Sequence, residues 1–193
     1  MDTQISEQIE TYRDELVALR RDFHKHPELG FEEYRTAKVI ESYLQDLGLT
    51  TQRMAKTGVV AFLEGSRPGP VLMLRADMDA LPLSEENEFE YKSQNPGVMH
   101  ACGHDAHMAI LLVAAKVLTQ NKHAVAGTIK FVFQPDEEIA GARAMVGEGV
   151  LDHPTVDAVM GPVSYTHLTL PTKEDVWWGG WWGGGGGGGG GGG

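Results

Sequence analysis

A chain of 193 residues, 41% hydrophobic and 22% charged, has the length and apolar content for one soluble domain with a sizeable core. Its formal charge of −11 argues against nucleic acid as a partner and gives no attraction to an anionic membrane surface. A single cysteine excludes an internal disulfide. No run is long enough to span a bilayer, and the start, MDTQISEQIE, lacks the apolar centre of a signal peptide, so the expected location is cytoplasmic.

In chain order, Ile5, Ile9, Tyr12, Leu16, Leu19 and Phe23 recur at spacings of three and four with charges between them, which predicts an amphipathic helix stopped by Pro27. A second helix is expected from about Glu32 to Leu47, with Gly48 at its C-terminal cap. The period then changes. VVAFL (59–63) and VLMLR (71–75) read as short buried strands bounded by Gly and Pro. After HACGHD comes a long helix with AILLVAAKVL (109–118) as its apolar body. TIKFVF (128–133) is a further strand, ARAMVGEGV (142–150) a short helix and VDAVM (156–160) a last strand. Strands alternating with helices predict an α/β fold, a mixed and largely parallel sheet flanked by helices.

Composition breaks after Gly161. All four tryptophans lie within 177–182, and 13 of the 25 glycines lie within 179–193. VSYTHLTLPT resembles one reading frame of a transposase-type sequencing-library adapter, and the Trp/Gly run that follows resembles a translated run of G. Residues 162–193 are therefore expected to be a tail foreign to the protein, and 1–161 its folded part.

ADMDALP (76–82), QPDEE (134–138) and the residues after VDAVMG follow strand ends, and HACGHD lies between two of those strands. All can meet at the sheet edge where open α/β sheets bind ligands. Cys102, His104, Glu137 and Glu138 make a mixed S/N/O set suited to Zn²⁺, Mn²⁺, Co²⁺ or Ni²⁺. Two adjacent carboxylates at one site repel unless a cation separates them or one is protonated. One on the metal and one as general base toward an activated water is the natural division. Each piece has a plainer reading. Cys102 alone fits a small buried hydrophobe, Glu137–Glu138 a helix N-terminus, and Asp77 and Asp79 loop carboxylates bonding backbone N–H groups. His104 and His107 share a helix face at a spacing that is common by chance, and His24 and His26 read as a solvated helix end. Joint placement favours a site.

LRRDFHKHPELGFEEY (19–34), LRADMDALPL (74–83), HACGHDAHMA (100–109), FVFQPDEE (131–138) and GARAMV (141–146) together resemble the aminoacylase-type co-catalytic metallopeptidases. More narrowly they resemble the amidohydrolase branch of hippurate hydrolases, N-acyl-amino-acid amidohydrolases and auxin-conjugate hydrolases. The resemblance implies a zinc-peptidase-like catalytic domain with two divalent metals, hydrolysis of N-acyl amino acids, and a lid or dimerisation domain that would make the whole protein a homodimer. By motif, Cys102, His104 and Glu138 match metal ligands, with Cys102 as a bridging thiolate. Glu137 matches the general base, and Asp79 a residue that orients the site. Asp77 stands where the peptidase branch has histidine, and His107 falls beside the ligands. The strand matching VDAVM ends in Gly-Leu-His in that family, whereas Gly161-Pro162-Val163 stands here; His167, in the adapter-like stretch, is no substitute. The chain is thus expected to be an N-terminal part that is inactive alone. The alternatives are a non-catalytic metal-binding or interaction fragment of that fold, and a redox role for Cys102.

Overall fold

The first apolar stripe forms two helices rather than the single one expected, α1 (Asp2–Thr11) and α2 (Arg13–Lys25), in a computed structural model that describes residues 2–162. The break is Tyr12, whose N–H bonds Ile9 O in a tight turn at 3.0 Å. It leaves the stripe to reach a later helix. Its hydroxyl donates to Gln120 Oε1 at 2.6 Å and its ring lies 4.7 Å from the Lys116 ammonium. Beyond Pro27, α3 (Tyr34–Asp46) is capped from outside, since the Glu28 carboxylate accepts from the N–H groups of Arg35 (3.0 Å) and Thr36 (2.8 Å).

Five strands follow, β1 (Thr51–Met54), β2 (Gly58–Glu64), β3 (Arg67–Asp77), β4 (Ala126–Gln134) and β5 (Ala158–Met160), with α4 (His104–Gln120) between β3 and β4 and α5 (Gly141–Gly147) before β5. Strand β1, TQRM, is polar and short, and periodicity gave no sign of it. The sheet order is β1-β2-β4-β3-β5. Strands β1, β2 and β4 pair antiparallel, while β3 pairs parallel with both β4 and β5, so the described sheet is mixed with a parallel half. Helix α4 is the long crossover that a parallel β3–β4 pair requires.

Alternate strand residues divide the core. Val59, Ala61, Leu63, Ile129, Phe131, Phe133 and Ala76 face a large cluster with Phe23, Ile40, Leu44, Met108, Leu111 and Leu112 from α2, α3 and α4. Val60, Met73 and Val132 face a smaller cluster with Met145 and Val150. Burial on both faces explains why the strands read as continuous apolar runs. Strand β5 stands at the edge of the described sheet with Met160 exposed.

The parallel half sets the site. β3 and β4 end in register, with Asp77 opposite Gln134, and β5 runs the same way. The 78–103 segment then crosses the surface before α4 starts. Main-chain bonds from Ala80 N to Glu28 O and from Gln94 N to Lys25 O, both 2.8 Å, hold it against the end of α2.

Candidate metal centre

Three turns meet at that edge. The turn after β3 brings Asp79, the turn after β4 brings Glu137 and Glu138, and the start of α4 brings Cys102 and His104. Ligand atoms of Cys102, His104 and Glu138 lie within 4.8 Å of one another, the three residues read from sequence as metal ligands. Cys102 Sγ donates to Glu138 Oε1 at 3.1 Å. Asp77, His104 and His107 form a second group of the same size, entirely buried.

His104 belongs to both groups. Its Nδ1 lies 2.9 Å from the Asp79 main-chain oxygen and 3.2 Å from Asp79 Oδ1. With Nδ1 engaged, only Nε2 can be given to a cation. An imidazole tied at one nitrogen by a carbonyl or carboxylate is the usual setting of a metal-bound histidine. Asp79 also accepts from the Glu138 N–H at 3.3 Å, so one carboxylate ties the start of α4 to the turn after β4. Behind it, Arg75 pairs with Asp77, donates from Nε to Gln134 Oε1 at 2.8 Å, and stands 4.0 Å from Glu137 Oε1.

The electrostatics ask for a cation. Burial, the Glu138 hydrogen bond and the charges of Glu138, Glu137 and Asp79 push the Cys102 thiol up to about 11. Those same charges, unfavourable to a lone thiolate, favour a divalent ion beside it. Burial opposes charge on His104, but the Asp79 bond and the Asp77 and Asp79 charges outweigh it, raising the imidazole to about 9. Burial would raise Asp79 as well, yet its bond to His104 and the backbone N–H groups of Glu137 and Glu138 hold it below its ordinary value. Burial, then the Asp77 charge, push Glu137 up, the direction a general base working near neutrality needs. The donors present fit a divalent metal.

Two features escaped the sequence. His24 is not a solvated helix end. It is buried, with Nδ1 2.8 Å from Asp105 Oδ2 and Nε2 3.0 Å from Glu85 Oε1. The Asp105 bond leads the causes that raise its pKa, against burial and with Glu85 adding to it. Phe89 and Tyr91 pack on its ring. His26 does lie at a partly exposed helix end, its Nδ1 bonded to Asp22 O at 2.8 Å. The other is Glu33, fully buried although its neighbours in sequence are polar. Carboxylates and histidines spaced this far apart give no local pattern to find. Of the tail expected over 162–193, everything after Pro162, His167 included, lies outside the described residues.

A family model described as peptidase family M20/M25/M40 matches residues 73–173, running twelve residues past Gly161. The chain is 47% identical over 171 residues to an N-acyl-L-amino acid amidohydrolase of Geobacillus stearothermophilus, covering 87% of this chain and 45% of that protein. It is 46% identical over 154 residues to an IAA-amino acid hydrolase (ILR1-like 5) of Arabidopsis thaliana, covering 79% and 35%. Among solved structures, the Bacillus subtilis YXEP protein, described as a dinuclear metal binding peptidase from the M20 family, matches at a TM-score of 0.77 and 41% identity, over 81% of this chain and 44% of that one. The chain spans less than half the length of these relatives.

Proposed function

The chain belongs to peptidase family M20/M25/M40, and from that premise we propose that it carries the nucleophile-activating half of a metal-dependent amidohydrolase acting on N-acyl amino acids. The observation that carries the proposal is the meeting of Cys102, His104 and Glu138 within 4.8 Å, with Glu137 next in sequence to a ligand. Relatives named as hydrolases of N-acyl-L-amino acids and of IAA-amino acids support the substrate class.

Cys102, His104 and Glu138 would hold metal, with Cys102 as thiolate. When bound, the metal supplies Lewis acidity toward the amide carbonyl and acidifies a water. Glu137, its affinity for protons raised by burial and by Asp77, would take a proton from the water that adds to the amide carbonyl carbon and give it to the nitrogen as the C–N bond breaks. Asp79 fixes the His104 ring and the backbone of the Glu137–Glu138 turn. Asp77 and His107 flank His104, with His107 Nδ1 3.9 Å from Asp77 Oδ2. Two metal ions, a homodimeric whole protein and a cytoplasmic location belong to the same proposal, as does the boundary of 1–161 as catalytic-domain sequence.

The test is a chimera in which residues 1–161 replace the matching part of the Geobacillus amidohydrolase. The expected result is metal-dependent release of amino acid from N-acetyl amino acids, lost by roughly a hundredfold or more in Glu137→Gln. A folded, metal-loaded chimera whose Glu137→Gln variant keeps activity within about tenfold would refute the assignment. The same assay on the 193-residue chain alone separates an active enzyme from the alternative, a metal-binding fragment without turnover.

A further inference from the structure

The turn that carries Glu137 and Glu138 is held from behind by a carboxylate that the mechanism does not use. Glu33 sits at the N-terminal boundary of α3, where a side chain would ordinarily cap the helix. Glu28 does the capping instead, and Glu33 points inward, with none of its surface exposed. Its Oε1 accepts from the backbone N–H of Asp136 at 2.9 Å, and its Oε2 accepts from the Thr57 hydroxyl at 2.5 Å. Three separate parts of the chain, the start of α3, the β1–β2 turn and the exit of β4, thus share one buried carboxylate.

Asp136 is the residue that needs holding. It has φ of +46°, in the left-handed region that residues with a Cβ adopt at a cost and that Asp tolerates better than most. Its carbonyl accepts from Gly141 N at 2.8 Å, and its Oδ2 accepts from Ala140 N at 3.0 Å. The surroundings leave it no room to relax. A Cβ on Gly30 would stand 2.1 Å from Asp136 Oδ1, and one on Gly141 would stand 1.5 Å from Pro135 O. One residue later come the base and then the ligand, so the backbone dihedrals of Asp136 aim both.

We propose that Glu33 is a positioning residue of the metal centre: by accepting the Asp136 N–H it fixes the left-handed turn that points Glu138 at Cys102 and His104 and sets Glu137 beside them. This rests on the metal-centre reading above. Partners one layer behind a metal's ligands typically affect its affinity by about 10- to 100-fold when removed. The acceptor oxygen matters here rather than the charge, so an isosteric amide with its oxygen toward Asp136 replaces it.

The experiment titrates the full chain with Co²⁺ and follows the thiolate-to-cobalt charge-transfer absorption of Cys102, with apo thermal unfolding measured in parallel. The variants are Glu33→Gln, Glu33→Leu, Glu33→Asp and, as a control for general softening, Leu44→Ala in the buried face of α3. The expected result is a 10- to 100-fold loss of Co²⁺ affinity in Glu33→Leu and at least about fivefold in Glu33→Asp, whose carboxylate is one methylene short of Asp136 N. Glu33→Gln and Leu44→Ala should stay within about threefold of wild type. Should Glu33→Leu not fold, the contrast between Glu33→Asp and Glu33→Gln decides. Wild-type affinity in Glu33→Asp, equal losses in Gln and Asp, or an equal loss in Leu44→Ala would each overturn the proposal. A wild-type chain with no thiolate band would overturn the metal-centre reading itself, and the proposal with it.

Discussion

His24→Gln removes a buried cation from between two carboxylates and should be among the most costly single changes outside the core. The side chains of Asp105 and Glu85 are each 1% exposed, and His24 bonds one with each ring nitrogen. Taking one partner from a buried ion pair costs about 3–5 kcal/mol. Three supports remain, Arg20 Nε on Asp105 Oδ2 at 3.2 Å, the Ser93 N–H on Glu85 Oε2 at 2.7 Å and Asn87 Nδ2 on Glu85 Oε1 at 3.1 Å, which places the loss at the lower end, about 3 kcal/mol. For a domain of this size that is roughly 6–12 °C in Tm.

The effect also has a pH signature. The folded-state pKa of His24 is raised above its ordinary 6.5, so its contribution is fully present below pH 6.5 and is lost as pH rises through the folded value. Asp105 and Glu85 are both lowered, against burial: Asp105 by the His24 bond first, Glu85 by the Ser93 N–H and then His24. Their contribution lasts until pH falls below the ordinary carboxylate range. The gap in Tm between wild type and His24→Gln, read by circular dichroism, should be widest near about pH 6 and narrow as pH rises through the raised folded-state value of His24. A gap under about 2 °C at pH 6, or one that does not change with pH, would refute the reasoning.

Metal binding at about pH 7 should expel about two protons per chain, one from a thiol at about 11 and one from an imidazole at about 9, measured with an indicator dye in weak buffer. Binding without proton release would mean that Cys102 and His104 are not ligands. Gly141→Ala sets a Cβ 1.5 Å from Pro135 O and should cost about 3 kcal/mol or more, whereas Gly147→Ala meets nothing within 4 Å in α5 and should be neutral or stabilising by up to about 1 kcal/mol. Equal melting temperatures for those two variants would show that the turn after β4 is not held as described.

The elements with a strong local signal were legible: α3 from its 3.6-residue repeat and α4, β2, β3 and β4 from apolar runs sit where the sequence placed them. The meeting of ADMDALP, HACGHD and QPDEE at one edge was legible too, because parallel strands put their C-terminal ends together. Strand β1 was not, since TQRM is four mostly polar residues recruited by pairing with β2 rather than by burial. The break at Tyr12 depends on a partner over a hundred residues away, Gln120. His24 and Glu33 show the same limit. Each is an ordinary charged-looking residue at a helix end until the fold delivers its partner, Asp105 or Asp136, from 81 and 103 residues away.

Whether Cys102, His104 and Glu138 hold a divalent cation is decided by titrating the chain and its Cys102→Ser variant with Co²⁺ under anaerobic, reducing conditions. The expected result is a saturable thiolate-to-cobalt charge-transfer band in the wild type, absent in Cys102→Ser and removed by a chelator. A wild-type chain that is folded yet gives no such band would contradict the metal centre, and with it the amidohydrolase reading of this edge of the sheet.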